Sequence, residues 1–306
     1  MTGQTLAGTL VSVVAILTTL VKDPGAVADL AAERLSAFMY FVVAVVILAA
    51  CVAAFWYVQR LPFYKHHYGG GKVASTQAAG EERKEGEDSD DDNDHSSVGV
   101  INEEEGNIEA AVEEASTYIG VAKRVWDLGL AVFYGFVVTL AVFPTLVQRV
   151  QSTTESDARI FGDLFVPWVF LLFNLGDLTG RVLADFLPVV KHNYLLMVSL
   201  LRSVFFPLVL LSNIKFTDID GNDLPLSLPA LLTSDAVWWL IVYMLGTTGG
   251  YVASLSMMYG PSRVTAGHEK EKAGIIMVNF LVWGLFAGSM SSFLLYGILC
   301  NCNPFI

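Results

Sequence analysis

The sequence predicts an all-α, polytopic membrane protein, and three observations predict it. The 306 residues are 54% hydrophobic with a mean hydropathy of +0.55, too apolar for a typical soluble domain. The apolar residues lie in runs long enough to cross a bilayer, which takes ~20 residues per helix. Within each run they are continuous rather than alternating, which disfavours a β-barrel. The formal charge of −12 is also uneven. Between Lys65 and Gly120 there are fifteen acidic and four basic residues, so one connecting stretch holds nearly all of it. An acidic balance of this size argues against nucleic-acid binding.

Seven runs are expected to span. The first, Gly3–Val21, lacks the basic start of a signal peptide and opens on small residues. Gly3, Ala7 and Gly8 either let a neighbouring helix approach closely or simply reflect membrane-helix composition. Pro24-Gly25 marks the turn to the second run, Ser36–Val58, which closes on Trp56, Tyr57 and Arg60 as interfacial anchors. The third is Val125–Val147, with Pro144 bending or ending it. The fourth is Leu164–Val190, followed by a very short turn at Lys191-His192-Asn193. The fifth, Tyr194–Leu211, contains Arg202 and Pro207. The sixth, Ala236–Met258, carries a face of Gly246, Gly249, Gly250 and Ala253. The seventh, Ala273–Leu299, has Gly284 and Gly288 at a packing spacing.

Three domains follow: 1–64 with two helices, an acidic linker over 65–124, and a five-helix unit over 125–306. The linker is too charged and too poor in apolar residues to repay ordering, so it is expected to be disordered. Its end, Asn107–Tyr118, has the composition of a short acidic helix. Ser89 stands among acids and suits an acid-directed kinase, whose phosphate would add charge to an already negative tether. Lys and Arg concentrate in one alternating set of loops. The positive-inside rule therefore places the linker in the cytoplasm and the C-terminus outside.

The fourth run holds the chemistry. Asp177 and Arg181 lie inside an apolar stretch, where ions are costly unless paired or facing a wet cavity. Four residues apart with the acid first, a helix stacks them as a favourable ion pair. They either staple helices or face a solute, and Asp185, four further on, is placed to share the guanidinium. Arg202, early in its run, is expected to snorkel or to pair with a neighbouring helix. Glu271 is expected to form a gate or helix-cap ion pair with a basic loop residue.

No cofactor or metal is expected. Cys300 and Cys302 are poorly spaced for zinc, no histidine accompanies them, and Cys51 reads as a packing residue. No nucleophile with a base and no phosphate loop is present, which excludes the common enzyme classes. No ring of charges or filter sequence suggests a channel.

The order of motifs resembles the equilibrative nucleoside transporters. Phe173-Asn174-x-x-Asp177-x-x-Gly180-Arg181 looks like that family's eighth-helix signature. Leu201-Arg202-x-x-Phe205-x-Pro207 is similar to its ninth helix, and Gly250-Tyr251-x-x-Ser254-Leu255 to its tenth. Glu271-x-Ala273-Gly274 with Gly284-Leu285-x-x-Gly288 resembles the eleventh. Phe143-Pro144 matches the end of the seventh, Gly3 to Gly8 the start of the fifth, and Pro62-Phe63-Tyr64 the exit of the sixth.

The resemblance implies an eleven-helix, major-facilitator-like fold with a site between two halves and alternating access for nucleosides or nucleobases. It implies that Asp177 accepts hydrogen bonds from the sugar and Arg181 donates to it, with Asn174 in the same site. Leu285 would line the pocket against the base. Gly3, Gly8, Pro144, Gly180, Arg202 and Glu271 would serve packing or gating. The chain begins where the family's fifth helix begins, so it is expected to be a fragment. It would then depend on the missing N-terminal helices or a second chain. The alternative is a non-transporting membrane scaffold or regulatory short form acting through the acidic linker. Lipid bilayer and nucleoside or nucleobase are the expected partners. The choice between plasma and internal membrane and the question of proton coupling stay open.

Overall fold

The computed structural model describes residues 2–20, 30–61, 98–154, 156–217, 223–224, 231–265 and 267–300. Among the described residues eight α-helices stand in order: α1 Thr2–Leu20, α2 Leu30–Arg60, α3 Val98–Val142, α4 Phe165–Phe186, α5 Leu195–Leu201, α6 Phe205–Leu210, α7 Asp235–Ser262 and α8 Gly267–Cys300. A two-residue antiparallel ladder, β1 Phe216–Thr217 with β2 Asp223–Leu224, lies between α6 and α7. Among the described residues five segments are long and apolar enough to cross a membrane: Tyr118–Arg149, Phe165–Phe186, His192–Leu210, Asp235–Ser262 and Glu269–Leu299. These are the third to seventh expected runs. The first forms a shorter apolar helix, Thr5–Leu20.

The chain divides into two compact units, residues 28–112 and residues 1–27 with 113–306. The smaller unit contains α2. There Arg60 sits over the Trp56 ring at 4.6 Å, a pairing of interfacial residues at the helix end. Cys51, expected to pack, is exposed. Ser89, Pro62–Tyr64 and the linker from 65 to 97 lie outside the described residues. From Val98 the chain is helical, so the expected disorder does not extend over the later linker. Glu and Ala dominate 103–115, good helix formers, and a helix continued into an apolar segment needs no separate nucleation.

In the larger unit α4 and α7 make the closest packing. A Cβ on Gly176 or Gly180 would run into the Tyr243 or Thr247 carbonyl of α7. A Cβ on Gly246 or Gly250 would run into the Phe173 or Asp177 carbonyl of α4. Four glycines thus let two backbones touch, the close approach that small residues give membrane helices. Likewise, Gly284 and Gly288 of α8 lie against α3, where added Cβ atoms would meet Phe133 O at 2.7 Å and Phe136 O at 2.9 Å.

Helix ends follow local chemistry. The fourth run was expected to reach Val190, but α4 stops at Phe186, because Leu187 precedes Pro188 and is pushed out of the helical region. The released backbone is caught by Tyr251, whose hydroxyl donates to Leu187 O at 2.9 Å and accepts from Val189 N at 3.1 Å. The fifth run is not one helix. Pro207 cannot donate to Ser203 O, and α5 gives way to a 3₁₀ turn at Arg202–Val204 before α6 resumes. The α3 helix ends at Val142, just before Pro144, and the Phe143–Pro144 bond is cis.

At the end of the unit that holds the start of α7, the Asp235 carboxylate gathers the loop. Ser152 Oγ donates to it at 2.7 Å, Thr154 Oγ1 at 2.6 Å and the Thr153 amide at 3.1 Å. Arg159 donates to the last carbonyls of α1, Thr19 O at 2.6 Å and Leu20 O at 3.1 Å, and pairs with Asp163 at 2.7 Å. A cation at a helix C-terminus meets both the orphan carbonyls and the dipole. At the opposite end, Arg263 forks onto Asp127 and donates to Arg124 O at 2.8 Å.

Candidate functional site

The site grows from the α4–α7 contact. Because glycines bring these backbones together, Asp177 and Arg181 are held at the seam on the α4 face that opens into a cavity of about 280 Å³. Arg181 Nε donates to Asp177 Oδ2 at 3.0 Å. The pair is real, but it does not exhaust either partner. Among the described residues Asp177 Oδ1 accepts no hydrogen bond and the two Nη groups of Arg181 have no acceptor. A carboxylate only accepts and a guanidinium only donates, so the wall offers both polarities side by side. Asp185 takes no part: it is exposed and makes no ion pair among the described residues.

Asn174, one turn before Asp177, also lines the cavity. Its amide donates to Ser12 Oγ at 3.0 Å and to Phe170 O at 2.9 Å, tying α1 to α4. Gly8 is the reason α1 can come so close, since a Cβ there would strike the Asn174 amide. Gly3 has nothing near it within 4 Å. Leu285 of α8 lines the same cavity. Pro144 is exposed beyond the end of α3, and the residue before it, Phe143, stacks on Phe173 with centroids 3.8 Å apart. Both rings line the cavity and form a flat aromatic wall near the ion pair.

Arg202 does not snorkel. It is only 3% exposed and lines the cavity from the break between α5 and α6. It is anchored to neighbouring helices, through Gly135 O at 2.9 Å and Thr139 Oγ1 at 2.9 Å on α3 and Leu245 O at 3.0 Å and Thr248 Oγ1 at 3.2 Å on α7. Glu271 is exposed, and the ion pair of that region is made by Glu269 with Arg124 at 3.5 Å. The structure thus brings Asn174, Asp177, Gly180, Arg181, Arg202 and Leu285 together. It leaves Gly3, Pro144 and Glu271 apart from them.

Some cavity residues gave no sequence signal strong enough to single them out. Thr5 is 2% exposed, lines the cavity from α1, and its hydroxyl has no partner. Thr139 lies four residues after Gly135, and only its neighbours in space give this position meaning. Among the described residues no group of histidine, cysteine and acidic side chains is arranged to hold a metal ion.

The sequence is similar to those of known proteins. The chain is 34% identical to equilibrative nucleoside transporter 1 of Rattus norvegicus over 184 residues, 58% of this chain and 38% of the relative. It is 34% identical to equilibrative nucleoside transporter 1 of Homo sapiens over 209 residues, 67% of this chain and 42% of the relative. Over 177 residues it is 32% identical to nucleoside transporter FUN26 of Saccharomyces cerevisiae, 56% of this chain and 33% of the relative. The chain therefore spans less than half the length of these relatives. A family model described as nucleoside transporter matches residues 1–296. With five apolar helices of spanning length, nearly full coverage by that model and the ion-paired motif on its cavity wall, this multi-pass membrane chain belongs to the nucleoside transporter family.

Proposed function

We propose that the chain acts in the passage of nucleosides across a bilayer, with the α3–α4–α7–α8 cavity as one wall of the solute site. The observation that carries this is the Asp177–Arg181 pair, buried at a glycine seam with an acceptor oxygen and donor nitrogens still unused. A ribose presents neighbouring hydroxyls that both donate and accept, which matches a carboxylate and a guanidinium held side by side. The stacked Phe143–Phe173 pair and Leu285 supply flat apolar surface for a base. Names of relatives and the family match support nucleosides as the class, and a nucleobase alone would forgo the sugar contacts.

Within this reading Asn174, Asp177, Arg181 and Leu285 contact the solute. Gly8 and Gly180 set helix approach, and Gly3, Pro144 and Glu271 act in packing or gating. The fold is the major-facilitator-like one, of which this chain supplies seven helices. The linker and its Ser89 face the cytoplasm, the C-terminus faces outward, and access alternates between two helical halves as in repeat-built carriers. The chain works with further helices opposite this wall.

The test is binding of radiolabelled uridine, adenosine and uracil to the 306-residue chain in nanodiscs, with uptake into vesicles alongside. Binding of both nucleosides with at least ~10-fold loss in Asp177→Ala and Arg181→Ala is expected, as for lost charged hydrogen bonds. Unchanged affinity in both variants at equal folded yield overturns the assignment. Preference for uracil overturns the sugar contact.

A further inference from the structure

Arg202 holds a positive charge on the cavity wall without a direct ion-pair partner among the described residues. It is 3% exposed, and among the described residues no carboxylate lies within ion-pair distance of it. Its surroundings are nevertheless built for it. Gly135 and Gly249 leave the room, since Cβ atoms there would meet its Nη1 at 3.3 Å and its Nη2 at 2.8 Å. The two threonines are oriented in advance. Thr139 Oγ1 donates to Gly135 O at 2.8 Å and Thr248 Oγ1 to Met244 O at 2.8 Å, so both turn lone pairs toward the guanidinium. Four of the five guanidinium N–H groups are thereby satisfied: Nε, both on Nη2 and one on Nη1. One Nη1 donor is unused among the described residues.

A buried ion costs several kcal/mol, about 3 in insertion scales, and such ions inside membrane segments mark functional sites. Its hydrogen-bond partners are all neutral dipoles, and among the described residues Asp177 is the carboxylate whose charge acts on it. The cavity lining contains two guanidiniums, Arg181 and Arg202, and one carboxylate, Asp177. The wall is net positive.

We propose that Arg202 is a specificity determinant of this cavity, admitting uncharged, acceptor-rich nucleosides and rejecting those with a positively charged base. The unused N–H donates to a carbonyl or ring nitrogen of the solute, and the net positive wall repels a cation. This rests on the nucleoside reading above and adds a charge rule to it.

The test measures adenosine and 1-methyladenosine, cationic at neutral pH, by competition binding to the full chain in nanodiscs. Wild type is expected to bind the cation at least ~10-fold more weakly, the scale of a like-charge contact at intermediate dielectric. Raising the pH until 1-methyladenosine loses its charge should close most of that gap in the same protein. The titratable groups facing the cavity are Asp177, Arg181 and Arg202, and the α3 and α7 residues against Arg202, namely Gly135, Thr139, Leu245, Thr248 and Gly249, do not titrate. Arg202→Gln should narrow the gap at neutral pH to about threefold or less, by removal of the like charge, and Arg202→Lys should preserve it. Equal wild-type affinities, a gap indifferent to pH, or an unchanged gap in a folded Arg202→Gln protein each overturn the proposal. If Arg202→Gln does not fold, the wild-type pH comparison decides alone. Failure of adenosine itself to bind defeats the nucleoside reading instead, and is read from a separate arm.

Discussion

At the residue scale, the two partners of the ion pair have different jobs. Arg181 is 6% exposed and shares Nε with Asp177, which leaves its Nη groups without an acceptor among the described residues. Replacing Asp177 with Asn keeps the shape and removes the charge, so a buried guanidinium loses its partner. Breaking a buried pair from one side costs about 3–5 kcal/mol. Asp177→Asn is therefore expected to lower the thermal midpoint measured in nanodiscs as well as nucleoside affinity. The double variant Asp177→Asn/Arg181→Gln should recover much of the stability and none of the affinity. A double variant no more stable than the single one would show that the pair contributes nothing to folding.

Outside the spans, the Arg159 guanidinium beside Asp163 holds that carboxyl below the usual carboxylate range, against an opposing effect of burial. Its folded-state value is depressed, so the associated stability is present above the ordinary aspartate value of about 3.9 and is lost as pH falls through the folded value. Arg159 also binds the last carbonyls of α1. Proteolysis near residues 156–164 is expected to speed up as pH falls from 5 to below the ordinary aspartate value of about 3.9 and the carboxylate protonates. Asp163→Asn should be cut at a rate that no longer depends on pH in that window.

At the element scale, α4 and α7 are joined backbone to backbone. Gly246→Val is expected to force them apart and to lower stability by about 1–3 kcal/mol or more, the range for overpacking. Gly274 has open space around it in α8, and Gly274→Ala should be neutral or slightly stabilising, by up to about 1 kcal/mol. Thermal scans of both variants against wild type check the contrast. The α7 glycine face was legible because Gly246, Gly249 and Gly250 repeat at the spacing of one helix face. The glycines also proved more divided than their spacing suggests: Gly246 and Gly250 meet α4, while Gly249 meets Arg202. Spacing gives a face but not its neighbour.

The break between α5 and α6 was less legible. Pro207 announced a disturbance, yet the place of Arg202 early in an apolar run left two readings open, snorkelling or pairing with a neighbouring helix. Only the carbonyls of Gly135 and Leu245, far away in sequence, turn it inward. Long-range acceptors of this kind leave no local pattern. Asp177 and Arg181 were legible for the opposite reason, being i,i+4 partners on a single helix. Their opening onto a shared cavity with Thr5 was not, because that depends on α1, held by Gly8 and Ser12 against Asn174.

At the scale of the whole molecule, the larger unit gathers α1 with the chain from residue 113 onward, and α2 falls in the other unit. Large apolar side chains, Phe186, Val189 and Ile298 among them, stand exposed on this chain. Exposed apolar surface of that kind belongs in lipid. The proposed topology carries its own check. In sealed vesicles, protease on the cytoplasmic face should cut between residues 65 and 97 and leave residues 151–164 intact. Cleavage of 151–164 from that face would invert the assignment.

Gly250 has a consequence for the site. Its absent Cβ leaves room for both the Asp177 carbonyl and Oδ1, the latter only 2.7 Å from where a methyl would sit. The empty space at position 250 therefore lets the backbone and the carboxylate of Asp177 both stand against α7. A methyl there would push α4 away from α7 and carry the carboxylate with it. One position thus fixes the helix seam and the ion pair together.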